Sequence, residues 1–326
     1  DTNDTHNLTA IIDENNNVEA AVSYDKYDRA LTSELADGLN KVTVTYFADQ
    51  TRILTDSRNV RTTVDLHVDA NNIVRKRFES GPGCTSCPAG SGVEYTFDDR
   101  LRITSSTDAL GRVTTYTYDE RGNKLTETEA AGTAEERTTA YTYHPSYDLV
   151  TSITRASVSK PGESAVTTFT YDASGNLTGR TQAGYNGTEM ITATTAYGYN
   201  AVGQLILVDG PRTDVADTMA FSYYANDPVE GGNRGRLHTV TNALGHTVTF
   251  ARYNAFGKPE QITDANGVVT TAVFDNAGRL TGKTTLGRTT GLVYDAAGNL
   301  TSVQLPGGRT ISYTYTAANL LGAISD

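Results

Sequence analysis

The chain has 326 residues and a formal net charge of −11, with 27 Lys and Arg against 38 Asp and Glu. An acidic surface argues against a nucleic-acid partner, because binding to a phosphate backbone needs clustered basic residues. The chain also lacks any apolar run of about 18 residues, so we expect no membrane insertion.

The absence of Trp, the 19 Tyr and the abundant Thr, Gly and Val are typical of a β-rich protein. Residues 1–6 are polar and acidic, unlike a signal peptide, so we expect any export signal to have been removed or to lie outside this sequence. Within residues 1–96, a degenerate form of the motif described below starts at Tyr24, Tyr46 and Leu66. It keeps the spacing of the later repeats but lacks their glycine. We expect these segments to belong to the same sheet.

The insert at residues 81–92 holds both cysteines of the chain, Cys84 and Cys87, with two residues between them. This spacing permits a local disulfide, a quiet thiol pair, a redox pair or half of a metal site. A zinc site needs four ligands, so the pair would need histidines brought in by the fold, or a second copy of the chain. Residues 88–92 cannot begin the helix of a thioredoxin-like motif. An exported protein with two nearby cysteines favours a structural disulfide, and we expect no metal or other cofactor.

From residue 97 onward one motif recurs: an aromatic residue, then Asp or Asn, then Gly four positions after the aromatic. The copies that define it are Tyr118-Asp119 with Gly122, Tyr171-Asp172 with Gly175, Tyr199 with Gly203, Tyr253 with Gly257, Phe274-Asp275 with Gly278, and Tyr294-Asp295 with Gly298. A motif that returns at such intervals indicates a repeat architecture rather than a domain built around one special site.

Each copy of the motif predicts a β-hairpin. Aromatic residues spaced by two, such as Tyr116 and Tyr118, lie on one face of a strand. The Asp-x-x-Gly that follows fits a type I turn, in which Asp bonds back to the backbone and Gly takes positive φ. A second strand then leads to a second turn of the same type. We assign such second turns at residues 108–111, 242–245, 264–267 and 284–287.

Longer segments interrupt the regular spacing of the motifs and are candidate binding loops. Inserts at the second turn cover residues 129–137, 155–165, 182–191 and 209–219, whereas residues 226–235 lengthen a first turn and would lie on the opposite edge. Edge loops are frequent binding sites. Lengthening a surface loop costs little free energy, so the alternative is that these inserts are tolerated without having a function.

A single hairpin cannot bury its apolar face, so neighbouring hairpins must continue one sheet. The predicted fold class is all-β: a repetitive antiparallel β-hairpin strip of about twelve two-stranded units, coiling into a spiral shell or solenoid. We expect residues 1–326 to form a single array, with degenerate repeats and the cysteine insert in residues 1–96 and clearer repeats in residues 97–326. The last unit is truncated after Tyr315, which predicts an open sheet edge that a partner must cover.

The segments Tyr294-Asp-Ala-Ala-Gly-Asn-Leu-Thr301 and Phe274-Asp-Asn-Ala-Gly-Arg-Leu-Thr281 closely resemble the consensus of the YD-repeat family, also called the Rhs-repeat family. The resemblance extends over nearly the whole chain. It implies a hairpin strip that spirals into a hollow shell, as in bacterial polymorphic toxins, toxin-complex cocoons and teneurin-like adhesion proteins. In the toxin branch such a shell encloses a C-terminal effector and ends in a self-cleaving core motif. No stretch here is similar to that motif.

Other chemistry is poorly supported by the residues. Each turn supplies one carboxylate where a calcium site needs six or more oxygens, and neither a nucleophile elbow nor a phosphate loop occurs. We therefore predict a non-enzymatic structural protein, extracellular or at the cell surface, that forms wall material. Its partners would be other copies of itself, or flanking repeat or toxin segments at open sheet edges. The alternative is an adhesion module that binds glycans or cell-surface partners through edge loops and tyrosines such as Tyr147 and Tyr185.

Overall fold

The computed structural model describes residues 6–13, 18–35, 38–68, 73–81, 92–316 and 319–326, and these contain 27 β-strands and the 3-10 helix Pro228–Asn233. The strands up to residue 143 are β1 Ala10–Ile12, β2 Val18–Tyr24, β3 Ala30–Leu35, β4 Val42–Tyr46, β5 Thr51–Asp56, β6 Arg61–Val68, β7 Val74–Ser80, β8 Gly92–Phe97, β9 Ile103–Thr107, β10 Val113–Tyr118, β11 Lys124–Glu129 and β12 Arg137–Tyr143.

The strands after residue 149 are β13 Val150–Ala156, β14 Ser164–Tyr171, β15 Leu177–Asn186, β16 Glu189–Tyr199, β17 Leu205–Asp209, β18 Thr218–Tyr223, β19 Leu237–Asn242, β20 Thr247–Tyr253, β21 Pro259–Thr263, β22 Val269–Phe274, β23 Leu280–Thr285, β24 Arg288–Tyr294, β25 Leu300–Gln304, β26 Thr310–Tyr315 and β27 Leu321–Ser325. Among the described residues, no helix has the length and apolar character that crossing a bilayer requires.

The chain divides into two compact units, the first made of Asp1–Tyr141 with Tyr315–Gly322 and the second of Thr142–Thr314 with Ala323–Asp326. Within each unit every described ladder is antiparallel and joins strands that are neighbours in sequence, from β1–β2 to β11–β12 in the first and from β13–β14 to β25–β26 in the second. The prediction of an all-β strip of antiparallel hairpins is confirmed. A meander of this kind needs only short connections, which the recurring turns supply.

Side chains on the strands alternate between two faces, as the spacing of the aromatic residues predicts. In β4 the half-buried Val42, Val44 and Tyr46 alternate with the exposed Thr43 and Thr45. Across the described residues no large side chain is fully buried. The aromatic face therefore packs as a partly covered surface rather than as a closed core, which an antiparallel sheet tolerates better than a parallel one.

The repeat turns have the geometry of a type I turn followed by a residue with positive φ. In the Asp119 turn, the N–H of Gly122 donates to the carbonyl of Asp119 at 3.2 Å, and Gly122 has a φ of 95°. Repeats that lack the glycine keep positive φ at its position, because Asp28, Gln50 and Leu101 take φ values of 59°, 70° and 59°. Loss of the glycine therefore leaves the turn in place at the cost of backbone strain.

Two turns differ from the sequence prediction. The turn at residues 284–287 is a two-residue connection, in which Leu286 at φ 50° and Gly287 at φ 74° link Thr285 directly to Arg288. Positive φ at both positions is the signature of a type I′ turn, and no Asp or Asn is present to favour the longer form. The segment 182–191 is not a loop either. It lies within the long hairpin of β15 and β16, where Asn186 pairs with Glu189.

A β-bulge recurs at the aromatic position of most described motifs and at Leu66, whereas Tyr46 pairs with Arg52 without a register shift. Tyr294 pairs with Leu300, but the preceding Val293 pairs with Ser302, so Thr301 is an extra residue in the second strand. The same register shift occurs at Tyr24, Leu66, Phe97, Tyr118, Tyr171, Tyr199, Tyr223, Tyr253 and Phe274. A bulge increases the local right-handed twist, so each repeat that contains one adds to the twist of the strip.

The insert at residues 226–235 is anchored to the next hairpin. The side chain of Asn233 accepts a 2.9 Å hydrogen bond from the N–H of Tyr253 and donates a 3.1 Å bond to the carbonyl of Ala251, the bulged residue of β20. Gly232 lies so close to β20 that a Cβ there would be 2.6 Å from the carbonyl oxygen of Tyr253. This loop is therefore a packed part of the second unit rather than a free edge loop.

Candidate functional site at the repeat turns

The recurring carboxylate of the motif is used inside its own turn. Oδ1 of Asp275 accepts from the backbone N–H groups of Ala277 and Arg279 at 3.0 and 2.8 Å, and Oδ2 accepts from Nε of Arg279 at 2.7 Å. These bonds, led by the backbone N–H of Arg279, lower the pKa of Asp275 from its ordinary value. With both oxygens engaged, this carboxylate closes the turn and is poorly placed to act as an acid, a base or a metal ligand.

The Asp119 and Asp172 turns use asparagine instead of arginine at the same position. Oδ2 of Asp119 accepts from Nδ2 of Asn123 at 2.9 Å, and Oδ2 of Asp172 accepts from Nδ2 of Asn176 at 2.9 Å. The side-chain amide is the largest cause of the lowered pKa at both carboxyls. The residue four positions after Asp is therefore part of the motif, which the sequence prediction of an Asp and Gly turn missed. Its signal was the recurrence of Arg, Asn or Lys directly after the turn glycine.

In most of the described repeats the tyrosine of the motif links its hairpin to the preceding one. Its hydroxyl donates to a backbone carbonyl at or near the start of the second strand of that hairpin, at 2.7–2.9 Å. The pairs are Tyr24 with Leu8, Tyr46 with Ala30, Tyr118 with Ile103, Tyr171 with Val150, Tyr223 with Leu205, Tyr253 with Leu237 and Tyr294 with Leu280. We call this recurring bond the tyrosine clamp. Phe274 occupies the same position without a hydroxyl.

A cation from the preceding turn covers the clamped ring. The guanidinium carbon of Arg279 lies 4.9 Å from the centroid of the Tyr294 ring, and its Nη1 donates to the carbonyl of Asp295 at 3.2 Å. Arg102 has the same relation to Tyr118 and Asp119, at 4.8 and 2.8 Å. One arginine side chain thus makes both a cation–π contact with the tyrosine ring and a charge-assisted hydrogen bond with the backbone of the next turn. In these repeats the turn is fastened to the next one by the tyrosine and the cation together.

The predicted site residues contribute unequally to this arrangement. Tyr118, Tyr171, Tyr253 and Tyr294 form clamps, and Gly122, Gly175, Gly203, Gly257, Gly278 and Gly298 all have positive φ. Cys84 and Cys87 lie outside the described residues. Within the described residues, no group of three or more His, Cys, Asp or Glu side chains could hold a metal ion.

The two loop tyrosines have different surroundings. The hydroxyl of Tyr185 lies 3.2 Å from Oε2 of Glu163, and Nζ of Lys160 lies 4.3 Å from its ring centroid, so its side chain fastens the β15–β16 hairpin to the preceding loop. The ring of Tyr147 is 48% exposed and is stacked on His144 with 5.0 Å between ring centroids. Of the two, Tyr147 presents the more accessible aromatic surface.

The recurrence of these turns corresponds to a known sequence repeat. The model of the RHS repeat matches residues 97–134, 233–269, 253–290, 274–310 and 294–326. Residues 97–134 and 233–326 thus match RHS repeats. The matches of the RHS-repeat chain include the clamps of Tyr118, Tyr253 and Tyr294 and the turn of Phe274, and they confirm the resemblance inferred from the motif. A search of curated protein sequences found no match.

Solved structures similar to the RHS-repeat chain are crystal structures of TcdB2-TccC3. The structure without the hypervariable C-terminal region has a TM-score of 0.60 at 12% identity, covering 93% of this chain and 19% of that one. The structure titled TcdB2-TccC3 has a TM-score of 0.59 at 12% identity, with 94% and 20% covered, and that of TcdB2-TccC3-Cdc42 has 0.58 at 12%, with 94% and 19% covered. At this identity the similarity shows a shared fold. The RHS-repeat chain spans about a fifth of the length of the chains it matches.

Proposed function

We propose that this chain is non-enzymatic wall material, forming part of a shell built from RHS repeats. The observation that carries this proposal is the tyrosine clamp. Hydroxyl, carboxylate and guanidinium groups that could have formed a reactive site are used to fasten neighbouring hairpins, as in Tyr294, Asp275 and Arg279. The fold shared with TcdB2-TccC3 and the RHS-repeat matches support a role in enclosing a toxin segment outside the cell.

As wall material, the chain would act as a single array and would associate through strand edges with flanking repeat or toxin segments or with further copies. Strand β27 is exposed along its whole length, with Leu321 and Ile324 at 53% and 60% exposure. Exposed apolar strands of this kind are templates for further pairing, and a charged residue on them blocks it.

Light scattering coupled to size-exclusion chromatography, followed by electron microscopy, tests the wall function. We expect the purified chain to assemble end to end as its concentration rises, and we expect Ile324→Lys to reduce that assembly. The matched control is Val293→Lys, which places the same charge at a 56% exposed position of the interior strand β24. A chain that stays monomeric at all concentrations, or one that assembles equally well with Ile324→Lys, would contradict association through this strand.

A glycan-binding adhesion module is the second candidate, favoured by the exposed Tyr147 ring stacked on His144. An aromatic face of this kind can stack on a sugar ring. A glycan array should then show saturable binding that Tyr147→Ala abolishes. Tyr185→Ala is expected to loosen the β15–β16 hairpin, because that ring is engaged by Lys160 and Glu163.

A further inference from the structure

The long hairpin of β15 and β16 and the flanking strands β13 and β14 form a groove of about 900 Å³ in the second compact unit. Its lining includes the rings of Phe169 and Tyr197 and the aliphatic side chain of Ile191. Two arginines, Arg155 and Arg180, also line it. The groove therefore combines an aromatic floor with positive charge.

The strand register places these groups on one face. Arg155 pairs with Ala165 and Arg180 pairs with Phe169, and both partners lie on β14 at an even spacing of four residues. Residues that pair directly share a face of the sheet, and so do residues an even number apart on one strand. From about 3.3 Å per residue and about 4.8 Å per strand, the two arginines are separated by roughly 16 Å. Side chains four residues apart on an extended polypeptide share one side and lie about 13 Å apart, a separation that flexible Glu and Arg side chains extend to this span.

Both guanidinium groups are available for a ligand. Neither forms an ion pair or a hydrogen bond with any of the described residues. This contrasts with Arg29, Arg102 and Arg279, whose side chains are held by turn carboxylates. The sequences of strands β13 to β16 contain a single carboxylate, Glu189, at the tip of the long hairpin. A local excess of positive charge thus faces solvent in a chain whose net charge is −11.

We propose that this groove binds an extended acidic polypeptide segment that presents carboxylates and apolar residues on the same side. An extended segment presents every second side chain to one side, so an apolar residue can cover Phe169 and Tyr197 while carboxylates two positions before and after it, four residues apart, reach the two arginines. Guanidinium groups bind carboxylates with two parallel hydrogen bonds, which gives selectivity against amides. The separation of the arginines favours a polypeptide over a single sugar ring. This binding goes beyond the proposed wall function, because it requires only the groove and no assembly.

Fluorescence anisotropy with the purified full chain tests the proposal. The probe is a labelled peptide of about ten residues with Glu at every fourth position, Val or Phe midway between successive Glu residues and Ser elsewhere, and the comparison peptide carries Gln in place of Glu. We expect saturable binding of the acidic peptide, at least about tenfold tighter than that of the Gln peptide, and weaker in about 300 mM than in about 50 mM sodium chloride. The double variant Arg155→Gln, Arg180→Gln should weaken binding at least about fivefold.

Arg252→Gln is the matched control, because Arg252 is a strand arginine of the same unit that already pairs with Glu260 at 2.9 Å. It should leave peptide binding unchanged. Circular dichroism melting curves would establish that all variants fold. Equal affinity for the acidic and the Gln peptides would overturn the proposal, as would binding that the double variant leaves intact. Binding of sialylated oligosaccharides in place of the peptide would do so too.

Discussion

The hydroxyl of Tyr294 donates a 2.9 Å hydrogen bond to the backbone carbonyl of Leu280, the first residue of β23 in the preceding hairpin. Leu280 itself pairs with Phe274, the aromatic residue of the previous motif. Within a hairpin, the aromatic residue of the motif therefore pairs with the first residue of the second strand. The tyrosine of the next motif then donates a hydrogen bond to the carbonyl of that same residue. The motif has separate bonds for closing a repeat and for joining repeats.

Tyr294→Phe should destabilise the chain by about 1 kcal/mol, because it removes one partly buried hydrogen bond and leaves the carbonyl of Leu280 without that donor. Urea unfolding followed by circular dichroism measures the change. The reverse substitution, Phe274→Tyr, adds a hydroxyl where the pattern places the carbonyl of Pro259, and a gain of up to about 1 kcal/mol is expected. Equal midpoints for Tyr294→Phe and the parent would show that the clamp adds no net stability.

Gly278→Val should destabilise the chain by about 1 kcal/mol or more, because Gly278 has a φ of 74°, which a β-branched residue tolerates poorly. A Cβ there would also lie 3.4 Å from the Phe256 ring. The matched control is Gly282→Val in β23, where φ is not positive and a Cβ would meet Val273 at an ordinary 3.8 Å. Thermal unfolding should separate the two variants. If both melted like the parent, positive φ would not limit this turn.

The turn carboxylates should make the fold sensitive to acid. The pKa of each is lowered below its ordinary value of 3.8, and such a group stabilises the fold above its unfolded pKa and loses that contribution as pH falls through the folded pKa. The melting temperature should therefore fall between about pH 5 and about pH 2. The turn carboxyls concerned are Asp25, Asp49, Asp56, Asp98, Asp108, Asp119, Asp172 and Asp275.

Asp275→Asn isolates one turn within this acid response. Asparagine occupies the equivalent place at Asn200 and Asn254, where its Oδ1 accepts the same backbone bonds, so the variant should fold normally at neutral pH. Because it has no charge to lose, its melting temperature should fall less steeply with acid than that of the parent. Parallel melting curves from about pH 7 to about pH 2 would count against a stabilising role for the Asp275 charge.

Asn233→Ala should release the insert at residues 226–235 from β20. The variant leaves the N–H of Tyr253 and the carbonyl of Ala251 without their side-chain partner, at a cost of about 1–3 kcal/mol. Hydrogen exchange should become faster in the insert and at Tyr253. Val229→Ala provides the control, since Val229 is 84% exposed on the same insert. Unchanged exchange in Asn233→Ala would mean that the insert is held by other contacts.

We expect Cys84 and Cys87 to form a disulfide under oxidising conditions. Intact-mass measurement after alkylation, with and without reductant, distinguishes this bond from two free thiols. Only the reduced sample should gain two alkyl groups. Metal analysis of the same sample tests for a shared metal site. Two alkyl groups in the unreduced sample would exclude the disulfide.

The hairpins and their turns could be predicted because their signals are local. Alternation around Tyr116 and Tyr118 indicates a strand, and the type I turn needs only Asp119 and Gly122 in place. The tyrosine clamp could not, since its acceptor is a backbone carbonyl whose position depends on how two hairpins align. The sequence around Thr301 likewise does not reveal that this residue is the extra residue of a β-bulge, because that depends on how the two strands align.

Inserts were the least predictable segments. Residues 182–191 continue the ladder of β15 and β16, in which Gln182 pairs with Ala193, because Gly187 takes positive φ in a two-residue turn that joins Asn186 to Glu189. The insert around Asn233 contains turn-forming residues that suggest a free loop. Its side chain nevertheless hydrogen-bonds to backbone groups at the bulge of β20, which no local sequence pattern reveals. Long-range polar contacts of this kind depend on the finished sheet.

Every tyrosine clamp points toward the N-terminus, and its acceptor lies a short distance back along the chain, 14 residues for Tyr294 and 16 for Tyr46. A chain emerging from the ribosome would thus present each carbonyl before the tyrosine that binds it. Contacts of such short sequence separation carry a small loop-closure cost and fold quickly. The array can be completed hairpin by hairpin in the order of its synthesis, with each new hairpin docking onto one that is already formed.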